Sequence, residues 1–264
     1  MRSNQPRLNK ANGQLEVVLS HSNSAPARAD APGPVLLLGA PGAGKGTQAD
    51  VLAKLWGIPR ISTGEILRSN VANGTALGAQ AKTFLNNGGL VPDQVMMKMV
   101  ANRLDRADTA EGVILDGFPR TVGQADWFDE YLDDHQHGAH LAVVSLNMDL
   151  DRLVARVIYR TVCPVCGSVY NEELMPPKRT GICDNDDSVL EQRNDDRLDV
   201  FKTRLGVFRR ETEPLIRFYS KRGMFLEVDA ERSPESVTED IVSGMMACRK
   251  RAEFERLSSS SRAS

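Results

Sequence analysis

One segment constrains the fold of this chain more than any other, the glycine-rich run GAPGAGKGT at positions 39–47. It directly follows the apolar run 35–38 and precedes a segment with helical periodicity, so the pattern predicts a strand, a tight turn and a helix in that order. Such a turn directs consecutive backbone N–H groups at a phosphate, and the N-terminus of the helix adds the positive end of its dipole. The segment therefore predicts an α/β protein that binds nucleotide phosphates.

We call positions 39–47 the phosphate loop. Lys45 supplies a mobile charge for the outer phosphates, and the hydroxyl of Thr47 faces the accompanying metal. In the common pattern Ser or Thr follows the lysine directly, whereas Gly46 intervenes here. The residues of the loop predicted to bind the nucleotide are Gly42, Ala43, Gly44, Lys45, Gly46 and Thr47.

Composition excludes several other classes of protein. The chain has 264 residues, which allows one large domain or a core with small inserts. A net charge of −2 argues against a nucleic-acid partner, and no apolar run approaches the roughly 18 residues that span a bilayer. We therefore expect no membrane association and a cytoplasmic protein. Four cysteines in a chain of this length indicate a metal site rather than a disulfide framework.

Apolar periodicity predicts alternating strands and helices after the loop. A helix after the loop is predicted from the helical spacing of Val51, Leu52, Leu55 and Trp56, and Gly57 and Pro59 end it. Further helices are predicted over 150–158 and from Asp93, as cap, to Leu104, and a long helix after Asp195 that Pro214 kinks or divides. Strands are predicted over 112–116, 141–146 and 225–228. This alternation predicts a mostly parallel sheet with helices on both faces. Ligands bind at the carboxyl ends of such strands, where the phosphate loop and Asp116 both lie.

The two ends of the chain differ in composition from the rest. Residues 1–33 are rich in Asn, Ser, Ala and Pro, with a basic excess, which predicts a disordered leader. Because organelle transit peptides are also basic and poor in acidic residues, that alternative stays open. Residues 248–264 are predicted to form a C-terminal tail, ending in a serine-rich run.

Three further segments complete a recognisable pattern. They are ISTGEILR at 61–68, LDGFPRT at 115–121 with Gln124 beyond it, and a cysteine-bearing insert between two arginine-rich helices. Together with the phosphate loop they resemble the adenylate kinase family, in its long-lid form, over about residues 34–247. The resemblance implies a core of 34–61, 92–160 and 196–247, an AMP-binding insert at 62–91 and a lid at 161–195. It also implies a monomer that transfers a phosphoryl group from MgATP to AMP, giving two ADP.

The resemblance also implies roles for individual residues. Arg68 and Arg120 would hold the AMP phosphate, and four further arginines would close on ATP and the transferring group. Arginine suits this work because its planar fork grips phosphate bidentately and stays charged. The implied catalytic set is Lys45, Asp116, Arg120, Arg156, Arg193 and Arg204, and Arg156 and Arg160 join the loop in binding ATP. The implied AMP-binding set is Thr63, Arg68, Val91, Gly117, Arg120, Gln124, Arg193 and Arg204.

Carboxylate and amide side chains have more specific expected roles. Asp116 is assigned to Mg²⁺ through waters, with Glu65 as a weaker candidate for the same shell and a loop-bracing carboxylate as the alternative for Asp116. In the family Thr63 and Gln124 contact the adenine of AMP, because an amide pairs with both a donor and an acceptor on a purine edge. No general base is required, since the attacking phosphate oxygen is already an anion.

The lid carries two close pairs of metal-ligand residues. Cys163 and Cys166 are followed, after sixteen residues, by Cys183, and Asp186 stands where a fourth cysteine would complete the pattern. Two such pairs match a structural, tetrahedral Zn²⁺ site. A redox cysteine pair and a lid without metal are the alternatives, and Asp184 and Asp187 are spare candidates for the fourth ligand.

Two other functions remain as rivals. One is a kinase for another nucleoside monophosphate, such as UMP or CMP. The other is a non-enzymatic nucleotide switch or a zinc-ribbon protein that binds nucleic acid. Such a binder should have a basic lid rich in aromatic residues. Between the first and last predicted zinc ligands, however, Tyr170 is the one aromatic residue, and Glu172, Glu173 and Asp184 add negative charge.

Overall fold

The computed structural model describes residues 7–11, 14–18, 33–135, 141–222 and 224–260, and side chains over 33–135, 141–222 and 224–248. Within these residues a five-stranded sheet has the order β4-β5-β3-β6-β9, and every neighbouring pair is parallel. Its strands are β3 (Pro34–Gly39), β4 (Arg60–Ser62), β5 (Val113–Asp116), β6 (Ala142–Asn147) and β9 (Met224–Asp229). The predicted parallel sheet is confirmed, and the strand before the phosphate loop lies at its centre.

Helices cover both faces of this sheet because the central strand is apolar on both sides. Val35 and Leu37 of β3 pack into one core, and Leu36 and Leu38 pack into the other. All four are nearly inaccessible to solvent, which is typical of a parallel strand buried on both faces. The helices are α1 (Lys45–Trp56), α2 (Thr63–Ala72), α3 (Ala76–Asn86), α4 (Asp93–Leu104), α5 (Val122–Asp134), α6 (Leu150–Ile158), α7 (Leu198–Val207), α8 (Pro214–Tyr219) and α9 (Pro234–Ser260).

Local sequence signals explain where several helices begin and end. Gly57 ends α1 in the left-handed conformation, with φ of 67°. Ser62 and Thr121 cap α2 and α5, since their hydroxyls accept hydrogen bonds from the backbone N–H groups of Glu65 and Gln124. Pro214 is the first residue of α8, so the helical pattern after Asp195 is divided there, as predicted, after a π-helical turn at Phe208–Thr212.

Two segments of the chain are predicted to be inserts. Helices α2 and α3 lie within the one predicted at 62–91. In and next to the segment 161–195, strands β7 (Arg160–Val162) and β8 (Val169–Asn171) form an antiparallel pair. This segment also has a small cluster of buried side chains of its own. The boundaries of the domains stay predictions.

The structure corrects one local prediction and qualifies two others. Asp93 is not the cap of α4: Pro92 occupies that position, and the Asp93 carboxylate bonds to α5 and the loop before it instead. Part of the predicted leader forms an antiparallel pair, β1 (Arg7–Ala11) with β2 (Gln14–Val18), and the rest of 1–32 lies outside the described residues. Helix α9 continues past residue 247, through most of the predicted tail.

Among the described residues no helix combines the length and the apolar character needed to cross a bilayer.

Candidate active site

The phosphate loop is built from glycines that other residues could not replace without strain. Gly42 and Gly44 have φ of 93° and 92°, in the left-handed region that favours glycine. A Cβ on Gly42 would lie 2.8 Å from Val157 Cγ2, so α6 packs directly against the loop. Gly44 then precedes α1, whose first N–H groups face the loop. The predicted anion cradle therefore has the expected backbone geometry.

Lys45 lies inside this loop and is buried. Its Nζ donates hydrogen bonds to the carbonyl oxygens of Gly39, at 2.7 Å, and Ala40, at 2.9 Å. Burial lowers the pKa of Lys45 to about 8; the nearby charge of Asp116 opposes this shift, and those of Arg120 and Arg204 add to it. An arriving phosphate would relieve this unfavourable environment for the ammonium.

The arginines predicted from different parts of the chain converge beside Lys45. Arg68 comes from α2, Arg120 from the loop after β5, Arg160 from the start of β7, Arg193 from the end of the lid and Arg204 from α7. Burial first, and then a neighbouring guanidinium group, lowers the pKa of Arg120 and of Arg193 to about 10; the neighbour is Arg204 for Arg120 and Arg68 for Arg193. Among the described residues these cations outnumber the facing carboxylates, as binding of a polyanion requires.

Two carboxylates that the sequence analysis did not single out hold this cluster together. Asp196 is fully buried and accepts hydrogen bonds from Arg160 and, at 3.1 Å, from Arg204 Nη1. The Asp195 carboxylate pairs with the same Arg204 Nη1 at 3.1 Å, and the Asp195 backbone carbonyl accepts from it at 2.9 Å. Although burial opposes it, Asp196 raises the pKa of Arg160. The adjacent acids two and three residues after Arg193 were the available signal, since partly buried arginines need buried partners.

Asp116 pairs with Arg60, which the sequence did not predict to be part of the site. Its Oδ2 accepts a hydrogen bond at 3.0 Å from Arg60 Nη2, and Arg60 also binds Glu65 and Asp50 at 2.7 Å each. A Cβ on Gly46 would lie 3.2 Å from Arg60 Nη2 and 3.5 Å from Asp116 Oδ2, so both groups border the phosphate loop. The structure therefore places Glu65 and Asp116 on one side of the loop, as a shared metal shell requires.

Arg156 is the exception among the predicted arginines. A Cβ on Gly44 would lie 3.5 Å from Arg156 Nη1, so this guanidinium borders the phosphate loop. Its pKa is lowered by burial and by Arg152, not by the groups around Lys45. Arg156 thus borders the loop at Gly44 and is not among the charges that act on Lys45; its predicted roles stay predictions.

The residues predicted to bind AMP surround the turn after β5. Thr63 Oγ1 and Arg120 Nε both donate to the carbonyl oxygen of Gly117, at 2.8 Å each. Gln124 Oε1 accepts from the backbone N–H of Arg120, also at 2.8 Å, and Val91 is buried in the same core as α4 and α5. Thr63, Gln124 and Arg120 are thus joined before any nucleotide is present.

The lid brings the four predicted metal ligands together. The ligand atoms of Cys163, Cys166, Cys183 and Asp186 all lie within 4.8 Å of one another. Neither spare acid joins them: Asp184 accepts from the backbone N–H of Lys178, and Asp187 pairs with Arg179.

Two similar turns present these ligands. Cys163 and Cys183 each donate a backbone hydrogen bond to a serine five residues later, at 2.8 Å, and each accepts one from the residue four positions later, at 3.1 Å. Backbone N–H groups also point at the sulfurs, from Val165 and Cys166 to Cys163 and from Asn185 to Cys183, at 3.4 Å. This donor set and its N–H···S bonds fit a tetrahedral, thiolate-rich metal site.

The central parallel sheet, the loop at its carboxyl edge and the convergent arginines define a phosphate-transferring nucleotide enzyme of the α/β class. The family model for adenylate kinase matches residues 37–224. An adenylate kinase from Caldanaerobacter subterraneus subsp. tengcongensis is 43% identical over 216 residues, which is 82% of this chain and 97% of that protein. An adenylate kinase from Methanocella arvoryzae is 41% identical over 206 residues, 78% of this chain and 95% of that protein. The chain belongs to the adenylate kinase family.

Proposed function

We propose that the protein catalyses the reversible reaction MgATP + AMP ⇌ 2 ADP by direct in-line transfer. The observation that carries this proposal is a cluster of partly buried cations. Arg120 and Arg204 act on Lys45, and Arg68 acts on both Arg120 and Arg193. Two nucleotide phosphates repel each other, and fixed cations offset that repulsion without any reorganisation during the reaction.

We assign each of these residues a role from where it lies in the site. The phosphate loop, Lys45 and Arg156 bind ATP; Arg68 and Arg120 bind the AMP phosphate; and Arg160, Arg193 and Arg204 surround the group in transfer. The AMP phosphate oxygen attacks without a general base because it is already anionic. The buried arginines of the lid and insert exclude water, which would otherwise accept the phosphoryl group.

Two metals belong to this proposal. Mg²⁺ would be bound with ATP through waters on Asp116, with Glu65 nearby, and when bound it neutralises charge on the phosphates. Zn²⁺ would be held by Cys163, Cys166, Cys183 and Asp186. Four protein ligands leave no open position, so the zinc is structural and stiffens a lid whose own core is small.

The test is formation of ADP from ATP and AMP with magnesium, followed by Lys45→Met and Arg120→Lys. We expect both variants to keep the fold and to lose turnover by roughly a hundredfold or more, since each removes a group that stabilises the transferring phosphate. Normal turnover in either variant, or no ADP from the unmodified protein, contradicts the proposal.

A second assay addresses the choice of acceptor. We propose AMP over UMP and CMP because Thr63 and Gln124 lie where an adenine would be recognised. Comparing kcat/KM for the three monophosphates decides between them. We also propose a cytoplasmic monomer without a nucleic-acid partner; light scattering during size-exclusion chromatography measures the mass. Whether residues 1–33 direct the chain to an organelle stays open.

A further inference from the structure

The carboxylate of Asp93 links α4 to the residues around Arg120. It accepts hydrogen bonds from Thr121 Oγ1 and from Gln124 Nε2, both at 2.7 Å. Asp93 lies two residues after the insert predicted at 62–91, and phosphate binding as described above gives this carboxylate no role. The Asp93 carboxylate instead contacts the side-chain amide of Gln124, the residue proposed to recognise the base of AMP.

Two groups hold this amide, one that can only accept a hydrogen bond and one that can only donate one. Gln124 Nε2 donates to Asp93, and Gln124 Oε1 accepts from the backbone N–H of Arg120 at 2.8 Å. A carboxylate only accepts and a backbone N–H only donates. The reversed amide would set oxygen against oxygen and donor against donor, so both hydrogen bonds would be lost.

The orientation leaves a defined pair of groups for a ligand. A primary amide has two N–H groups and two oxygen lone pairs, and the protein uses one of each. One donor and one acceptor therefore remain side by side. Adenine presents the complement, an amino group next to a ring nitrogen that accepts. A purine with an oxo group at position 6 and a protonated N1 matches the reversed amide instead.

We propose that Asp93 is a specificity-determining positioning residue, which fixes the amide of Gln124 in the orientation that selects a 6-amino purine over a 6-oxo purine. This inference rests on the proposed function, in which Gln124 contacts the base of the acceptor monophosphate. Asp93 does not touch the nucleotide; it acts through Gln124.

The test compares AMP with inosine monophosphate, which differs from it at position 6 and in the proton on N1. In Asp93→Asn the new amide offers a donor as well as an acceptor, so only the backbone N–H of Arg120 still opposes the reversed orientation of Gln124. We expect the ratio of kcat/KM for AMP to kcat/KM for inosine monophosphate to fall by roughly 10- to 100-fold, the effect of one hydrogen bond to a charged group. Equal losses for both nucleotides, with the ratio unchanged, would overturn the inference.

A matched control is available at the other end of the same helix. Asp105 follows α4 and accepts a hydrogen bond at 2.7 Å from the hydroxyl of Tyr131 on α5. Asp105→Asn therefore removes another carboxylate that joins α4 to α5, and we expect the nucleotide ratio to stay unchanged. In a Gln124→Met background, Asp93→Asn should not alter the ratio further; an additional fall would show that Asp93 acts by another route.

One measurement does not depend on whether the variants fold. In the unmodified protein the side-chain NH₂ of Gln124 should exchange slowly with solvent and show one proton shifted strongly downfield by Asp93, as seen by NMR. Rapid exchange of both protons would overturn the inference. If the unmodified protein makes no ADP from ATP and AMP, the proposed function fails; if it is active and the Asp93→Asn ratio is unchanged, only the inference fails.

Discussion

Gly117 offers a sharp test of how the turn after β5 positions the catalytic cations. Its φ is 83°, and a Cβ built on it would lie 2.8 Å from Arg120 Nη2 and 2.9 Å from Thr63 Oγ1. Ordinary contact between such atoms is about 3.5 Å, so in Gly117→Ala both side chains must retreat by roughly 0.5–1 Å. Both also donate to the carbonyl oxygen of Gly117, so the displacement is coupled to their hydrogen bonds.

Gly117→Ala should lower both the stability of the protein and the rate of the reaction. An L-residue in the left-handed region costs about 1–2 kcal/mol of stability. Misplacement of a catalytic group by about 1 Å costs up to roughly a hundredfold in rate. We therefore expect Gly117→Ala to lower kcat/KM for AMP by roughly 10- to 100-fold, measured by the formation of ADP, with a modest loss of the free energy of unfolding measured in urea.

Gly57→Ala is a control that separates the loss of stability from the loss of rate. Gly57 also lies in the left-handed region, with φ of 67°, but nothing lies within 4 Å of a Cβ built there. It should lose a similar amount of stability and keep its turnover. If Gly117→Ala and Gly57→Ala have the same turnover, the positioning of Arg120 and Thr63 by this turn does not matter for catalysis and the reasoning is refuted.

Three further predictions concern charge and metal. Because the pKa of Lys45 is about 8, binding of ATP above that pH should be accompanied by uptake of a proton, and the affinity for ATP should fall as the pH rises. Calorimetry in two buffers at about pH 8.5 measures the proton uptake. Lys45→Met should abolish it. Cys183→Ser should lower both the zinc content and the Tm, while Cys248→Ser, outside the cluster, should change neither. Asp196→Asn leaves two buried guanidinium groups underpaired and should lower the free energy of unfolding in urea by about 3 kcal/mol or more; a loss below about 1 kcal/mol would contradict the pairing.

Much of the fold could be predicted because the signals are local. The apolar run before the loop, the glycines inside it and Pro214 each fix a backbone conformation that does not depend on distant residues. The metal ligands could be predicted for the same reason, since spacing within each turn brings a pair together. Asp93 shows the limit of this approach: an acid at the start of a helix is typical of a cap, but here the tertiary partners Thr121 and Gln124 bind its carboxylate instead.

By itself, the sequence determined that this protein has a loop for nucleotide phosphates and that three cysteines and one aspartate have the spacing of metal ligands, because glycine-rich turns and close ligand pairs are properties of short segments. Only the tertiary structure decided which charges meet. Asp196 lies between Arg160 and Arg204, Arg60 holds Asp116, and Arg156 borders the phosphate loop at Gly44. The physical reason is that an arginine has the same appearance in a sequence whether it is solvated or buried. Its partner is chosen by how strands and helices far apart in the chain pack together.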